Sequence, residues 1–213
     1  DEINLFSDWF LPLLEVPATS LPSQWPAFCQ QLVASALNQP QVLVHRDYHS
    51  RNLMLLDTTN PAQSELGIID FQDAVLGPCT YDLVSLTKDC YLNWPKAQQD
   101  DWFGFFYQGF SQQAAAQNLS ALPSKESLYN SYQLMGMQRH IKVLGIFARL
   151  YLRDNKSGYL ADLPLTLEHL MQATQLYPEF NWLTAWLTEI IQPKLAKRLP
   201  QLFAQIQLKQ NND

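Results

Sequence analysis

From Gly77-Pro78 onward this chain reads as one helical run after another, and that feature excludes more folds than any other. In the longest run, 125–154, Leu134, Met137, Ile141, Leu144, Ala148 and Tyr151 recur every three or four residues, the period of a helix with one buried face. Further helical patterns cover 81–91, 97–116, 165–177, 183–191 and 195–208. Two more precede them: 5–14, and 25–37 with Phe28, Leu32, Val33, Ala36 and Leu37 on one side. Three short apolar runs, 42–45, 53–56 and 66–69, have strand character, and Asp57-Thr58-Thr59-Asn60-Pro61 supplies a turn between the last two. So few strands exclude a doubly wound sheet. The expected class is mainly α, of α+β type: a helical body carrying a small β-hairpin.

Composition narrows the function classes. A chain of 213 residues fits one sizeable core, and 47% hydrophobic with 12% aromatic residues is the make-up of a folded chain. A net charge of −6 excludes a general nucleic-acid surface, so an anionic ligand needs a metal ion or local basic side chains. Cys29, Cys79 and Cys90 form no CxxC pair and no zinc pattern with the four histidines, which fits a reducing compartment. No run approaches the ~18 apolar residues of a membrane span, and the acidic start Asp1-Glu2 is unlike a signal peptide. The expectation is a cytoplasmic protein with neither membrane nor nucleic-acid partner.

The polar residues with chemistry cluster around the strand-like runs. Val42-Leu43-Val44 leads into His45-Arg46-Asp47-Tyr48-His49-Ser50-Arg51-Asn52, and Leu66-Gly67-Ile68-Ile69 ends on Asp70. A carboxylate just beyond an apolar strand can be held at a cleft edge. There Asp47 can accept a hydrogen bond from a substrate hydroxyl and orient it, and such base assistance is worth about 10²–10⁴-fold. Asn52 offers a neutral amide oxygen and Asp70 a charged one, the hard donors that magnesium takes. One base and two oxygen ligands suit phosphoryl transfer, which depends on positioning and charge neutralisation. His45, on the strand side, is placed to brace the loop by hydrogen bonds.

Two other readings stand beside this one. The cluster can be a capped turn, with Asp47 and Asn52 satisfying backbone amides, though that leaves Asp70 unexplained. Alternatively His45, Asp47 and His49 can ligate zinc for hydrolysis, although His140 and His169 are isolated and no His-rich stretch follows to supply further ligands.

The run from His45 to Asn52 resembles the catalytic loop of the aminoglycoside phosphotransferase and choline kinase family, itself similar to protein kinases. Ile69-Asp70-Phe71-Gln72-Asp73-Ala74, with Gly77-Pro78 and Tyr81-Asp82-Leu83, resembles that family's metal-binding and following helix motifs, so the likeness spans 42–86. The resemblance implies Asp47 as catalytic base, Asn52 and Asp70 as holders of Mg2+, ATP as donor, and a small-molecule hydroxyl as acceptor. It makes Asp82 a buried carboxylate tying its helix to the catalytic loop, with His45, His49 and Arg51 in support. The wording of 71–75 and 137–150 looks closest to a bacterial branch that includes anomeric kinases of N-acetylmuramate and N-acetylglucosamine, which serve cell-wall recycling. That likeness implies transfer to a sugar C1 hydroxyl; an aminoglycoside or choline-type acceptor is the alternative.

There are departures. Arg46 stands where antibiotic kinases of the family usually have glycine. The seven glycines are isolated, so no phosphate-covering Gly-rich loop is present, and no strand lysine with a helix glutamate precedes the catalytic loop. The expectation is that residues 1–213 form the C-terminal lobe of a kinase-like phosphotransferase. A nucleotide-clamping N-terminal lobe of the same protein is then missing from this chain, and the lobe alone is inactive or serves only as a binding module.

Other residues leave choices open. Asp73 either joins the acceptor site or caps the turn toward Gly77. Arg139, His140 and Lys142 interrupt the long apolar helix, either to meet an anionic sugar substituent or as a solvated face. His49 and Arg51 either contact the transferred phosphate or face solvent. The aromatic residues Trp102, Phe103, Phe105, Phe106 and Tyr107 read as core, and His169 as an ordinary helix residue.

Overall fold

The computed structural model describes residues 2–57, 59–60, 65–116 and 122–210, the side chains of 205–210 excepted. Its strands are Gln41–Val44 (β1), Leu53–Leu55 (β2), Leu66–Ile68 (β3) and Val75–Pro78 (β4). The helices are Leu11–Leu13 (α1), Trp25–Leu37 (α2), Tyr81–Thr87 (α3), Lys96–Ala116 (α4), Lys125–Leu152 (α5), Leu163–Thr174 (α6), Asn181–Trp186 (α7) and Gln192–Gln210 (α8). The chain is mainly helical, as its periodicity predicts, and divides into two units: 32–135, and 1–31 together with 136–213.

The 32–135 unit holds two antiparallel pairs. β2 and β3 form the expected hairpin, with Leu53 opposite Ile68 and Leu55 opposite Leu66. β1 pairs with β4, with Val42 opposite Gly77 and Leu43 opposite Leu76. The sequence reading has no strand at 75–78, and this is a correction. Gly77-Pro78 reads locally as a chain breaker, whereas here Pro78 sits at the strand end and the partner strand lies far back in sequence. Glycine is required at 77, because a Cβ there would fall 2.7 Å from Val44 Cγ2. α3 stops at Thr87 instead of running to 91, since Lys88 leaves helical geometry at φ −121°, ψ 42°.

Val44, Cys79, Tyr81, Val84, Phe103, Leu128, Tyr132 and Met135 form the core of this unit. Of the aromatic run only Phe103 is fully in it; Phe105, two residues on and so across the helix, is 81% exposed. A buried lysine lies at the end of α3. The Lys88 ammonium donates to Gln133 Oε1 and lies 4.6 Å from the Tyr132 ring centroid, and burial pushes its pKa down to about 7.

The other unit packs a π-helical turn, Phe6–Phe10, and α1 with α6, α7 and α8 around an aromatic centre. Phe6 stacks on Trp25 at 5.2 Å and Phe28 meets Phe180 edge-on at 5.0 Å, rings that each bury a large apolar area. Ile141, Leu144 and Ala148 of α5 are fully buried there, as their spacing requires. Gly145 lets the Leu5 backbone approach, since any Cβ at 145 would overlap it. The expected helix over 183–191 turns π-helical after Trp186, and among the described residues no helix is long and apolar enough to cross a membrane.

Candidate active site

The site begins where β1 runs out. Beyond Val44 the chain turns through Arg46 at φ 77°, a left-handed conformation that costs a non-glycine residue about 1–3 kcal/mol. Asp82, in the first turn of α3, holds this turn. Its Oδ2 accepts the His45 backbone N–H at 2.7 Å and its Oδ1 accepts that of Arg46 at 3.0 Å. Charge-assisted bonds of this kind each contribute about 1.5–3 kcal/mol, enough to offset the strain. The buried His45 ring donates from Nε2 to the Ile69 carbonyl at 2.9 Å, which joins the loop to the chain just beyond β3.

A 3₁₀ turn, Ser50–Asn52, follows. His49 N–H donates to the Asp47 carbonyl at 3.0 Å, and Asn52 N–H to the His49 carbonyl at 2.9 Å. The Asn52 side-chain amide then links the two halves of the site. Its Nδ2 donates to the Asp47 carbonyl at 2.9 Å and to Asp70 Oδ2 at 3.4 Å, while Ile69 N–H donates to the Asn52 carbonyl at 3.1 Å. Asp70 is itself left-handed at φ 66°, which turns its carboxylate out of the strand line toward Asn52.

Asp47 and Asp70 are exposed, and among the described residues the Asp47 carboxylate makes no hydrogen bond. A free, exposed carboxylate is available to a substrate hydroxyl. With its nitrogen turned inward, the Asn52 amide leaves Oδ1 for a cation beside Asp70. One carboxylate and one amide oxygen fit magnesium, which keeps several waters and takes few protein ligands. The capped-turn reading describes Asn52 in part, since its amide locks the turn, but the Asp47 carboxylate caps nothing. For zinc, among the described residues no group of three or more His, Cys, Asp or Glu is arranged to hold a metal ion.

Three residues at the site escape a reading of spacing alone. Gln72 Nε2 donates to Asp70 Oδ1 at 2.6 Å, and its position two residues after Asp70 is the signal that could have found it. The buried Asp89 carboxylate accepts the Ser50 hydroxyl at 3.3 Å, and the Arg51 guanidinium lies 3.6 Å from the Tyr91 ring centroid, contacts with no local signature. His49 stands edge-on to the same ring. Asp73 is exposed and makes no side-chain hydrogen bond among the described residues, so it does not cap its turn, which Ala74 N–H closes onto the Phe71 carbonyl at 3.1 Å.

Arg139 and His140 belong to the other unit, 6% and 2% exposed, with the His140 ring 5.3 Å from that of His169, which is also buried. Lys142 pairs with Glu2 at 2.7 Å. The solvated-face alternative is therefore corrected for Arg139 and His140, which the packing of α5 encloses, while Lys142 is half-buried in its ion pair.

Residues 7–121 match the family described as "Phosphotransferase enzyme family". The chain is 41% identical over 192 residues to the N-acetylmuramate/N-acetylglucosamine kinase of Pseudomonas putida, covering 89% of this chain and 53% of that protein. It is 41% identical over 181 residues to the kinase of the same name from Pseudomonas aeruginosa, covering 84% and 50%. With the kinase so named from Neisseria meningitidis serogroup B it shares 38% over 192 residues, covering 89% and 54%. The chain spans about half the length of the curated relatives it matches. With its site built on a strand–loop–hairpin–helix and a matching family model over more than half its length, the chain belongs to the phosphotransferase enzyme family.

Proposed function

We propose that this chain is the metal- and acceptor-binding lobe of a kinase that transfers the γ-phosphoryl group of ATP to the C1 hydroxyl of an amino sugar, N-acetylmuramate or N-acetylglucosamine. The observation that carries the reading is the Asn52 amide, bonded at once to the Asp47 backbone and the Asp70 carboxylate. The printed names of the relatives support the acceptor class. The apolar side chains left exposed on the hairpin and after it, Met54, Ile68, Ile69 and Phe71, support further polypeptide and a nucleotide base lying over this face. A partner lobe of the same protein is the occupant this reading requires.

In this scheme Asp47 accepts the hydrogen bond of the acceptor hydroxyl, aligns its oxygen, and holds the proton as the new P–O bond forms and the old one breaks. Asn52 keeps the Asp47 loop fixed against Asp70. Asp70 and the Asn52 oxygen hold Mg2+, which when bound neutralises phosphate charge. His45 and Asp82 keep the loop in its strained form.

The test is Asp47→Asn in the full-length protein, assayed with ATP and each sugar and with product position assigned by NMR. Turnover should fall at least about 10²-fold with the folded state intact. Turnover close to that of the unaltered protein would remove the proposed mechanism.

A further inference from the structure

Arg51 is exposed and directly precedes Asn52, yet its guanidinium is held in place. It lies on the face of Tyr91, 3.6 Å from the ring centroid. Tyr91 is fixed in turn: its backbone N–H donates to Asp89 Oδ1 at 3.2 Å, and the His49 ring stands edge-on to it at 6.0 Å. The other Asp89 oxygen accepts the Ser50 hydroxyl at 3.3 Å, so Ser50, Asp89, Tyr91 and Arg51 close a ring of contacts. Asp89 is only 2% exposed, a costly place for a carboxylate, and both of its hydrogen bonds serve this seat.

A guanidinium seated over an aromatic ring still has N–H groups to offer a planar oxyanion, and its position is settled before any ligand arrives. Among the described residues no carboxylate pairs with Arg51, although the chain carries a net charge of −6. Arg139 and Lys142 of α5 offer nothing comparable, since Arg139 is enclosed and Lys142 already has Glu2.

We infer that the Arg51–Tyr91 pair receives a carboxylate carried by the acceptor and so favours an anionic amino sugar over a neutral one. The inference rests on the phosphotransferase reading above. N-acetylmuramate carries a lactyl carboxylate and N-acetylglucosamine does not, so the two sugars form a matched pair of probes. In the full-length protein, Arg51→Gln should lower the ratio of kcat/KM for N-acetylmuramate over N-acetylglucosamine by about tenfold, the size of one charge-assisted bond. Arg51→Lys should restore part of that ratio. Tyr91→Leu, which removes the platform but keeps the charge, should lower it about threefold. An equal fall on both sugars, or a ratio that does not move, overturns the inference. If Asp47→Asn abolishes turnover while the ratio stays put, only this inference fails. If Asp47→Asn stays active, the mechanism fails and the ratio still decides the role of Arg51. Turnover of neither sugar by the unaltered protein overturns both.

Discussion

The stretch around Asp47, Asn52 and Asp70 and the stretch Arg139–Lys142 hold similar kinds of polar residue, and the fold treats them in opposite ways. In the first, backbone and amide contacts fix the loop while the carboxylates that could do chemistry stay exposed. In the second, Arg139 and His140 are enclosed by α5 packing and Lys142 is tied to Glu2. A polar residue in a helix whose apolar face is this deeply buried goes inside with its neighbours. One in a short turn between strands can be held by its backbone and still present its side chain. Polar groups of the first kind are suited to act on a ligand, and those of the second to specify packing.

The comparison breaks or sharpens on a graded set of substitutions. The largest effect should come from Asp70→Asn, which lowers kcat about 10²–10³-fold and raises the Mg2+ concentration for half-maximal activity, with the urea midpoint nearly unchanged. A large stability loss without a magnesium effect would place Asp70 with the packing residues instead. Next, Asp82→Ala removes both bonds that hold the His45–Arg46 turn and should cost about 2–4 kcal/mol in urea unfolding; loss of less than about 0.5 kcal/mol would mean the turn holds itself. Arg139→Leu should cost about 2 kcal/mol in the same assay, because the groups that meet its buried guanidinium lose their partner, and leave kcat per folded molecule of the full-length protein within about twofold.

Lys88 tests burial through pH. Its pKa is about 7 in the folded chain against an ordinary 10.5, so the unfolded chain binds the extra proton between those values. Stability should therefore climb as pH rises from about 7 toward 10.5, with the cost of burying the ammonium present in full and independent of pH below 7. Lys88→Met should flatten that climb in urea midpoints measured across the window, and an unchanged slope would show that Lys88 is solvated. The smallest effect belongs to Lys142→Ala, about 0.5 kcal/mol or less, since its ion pair with Glu2 is partly exposed.

Much of this molecule is legible in the primary structure. α2 has the expected bounds, although Val33 and Leu37 of its expected apolar face are exposed; the apolar positions of α5 at 134, 137, 141, 144 and 148 are buried; and β2 pairs with β3 as expected, the turn at 57–61 lying partly outside the described residues. What escapes is whatever depends on distant partners. β4 is invisible because its partner β1 lies more than thirty residues earlier, and the end of α3 because Lys88 leaves the helix to reach Gln133. The surroundings of Arg51 are hidden for the same reason, since periodicity carries a helix on to 91 and so misplaces Asp89 and Tyr91, which lie beyond the end of α3.

By itself the order of residues determined the helical class, the hairpin and the short list of oxygen-bearing side chains, because periodicity and turn chemistry act over a few residues. The tertiary structure alone decided that one amide joins Asp47 to Asp70, that a carboxylate from α3 holds a left-handed arginine, and that Arg139 and His140 of α5 go inside. Those outcomes depend on which surfaces meet, and hydrogen bonds across long loops are set by packing that no local pattern encodes.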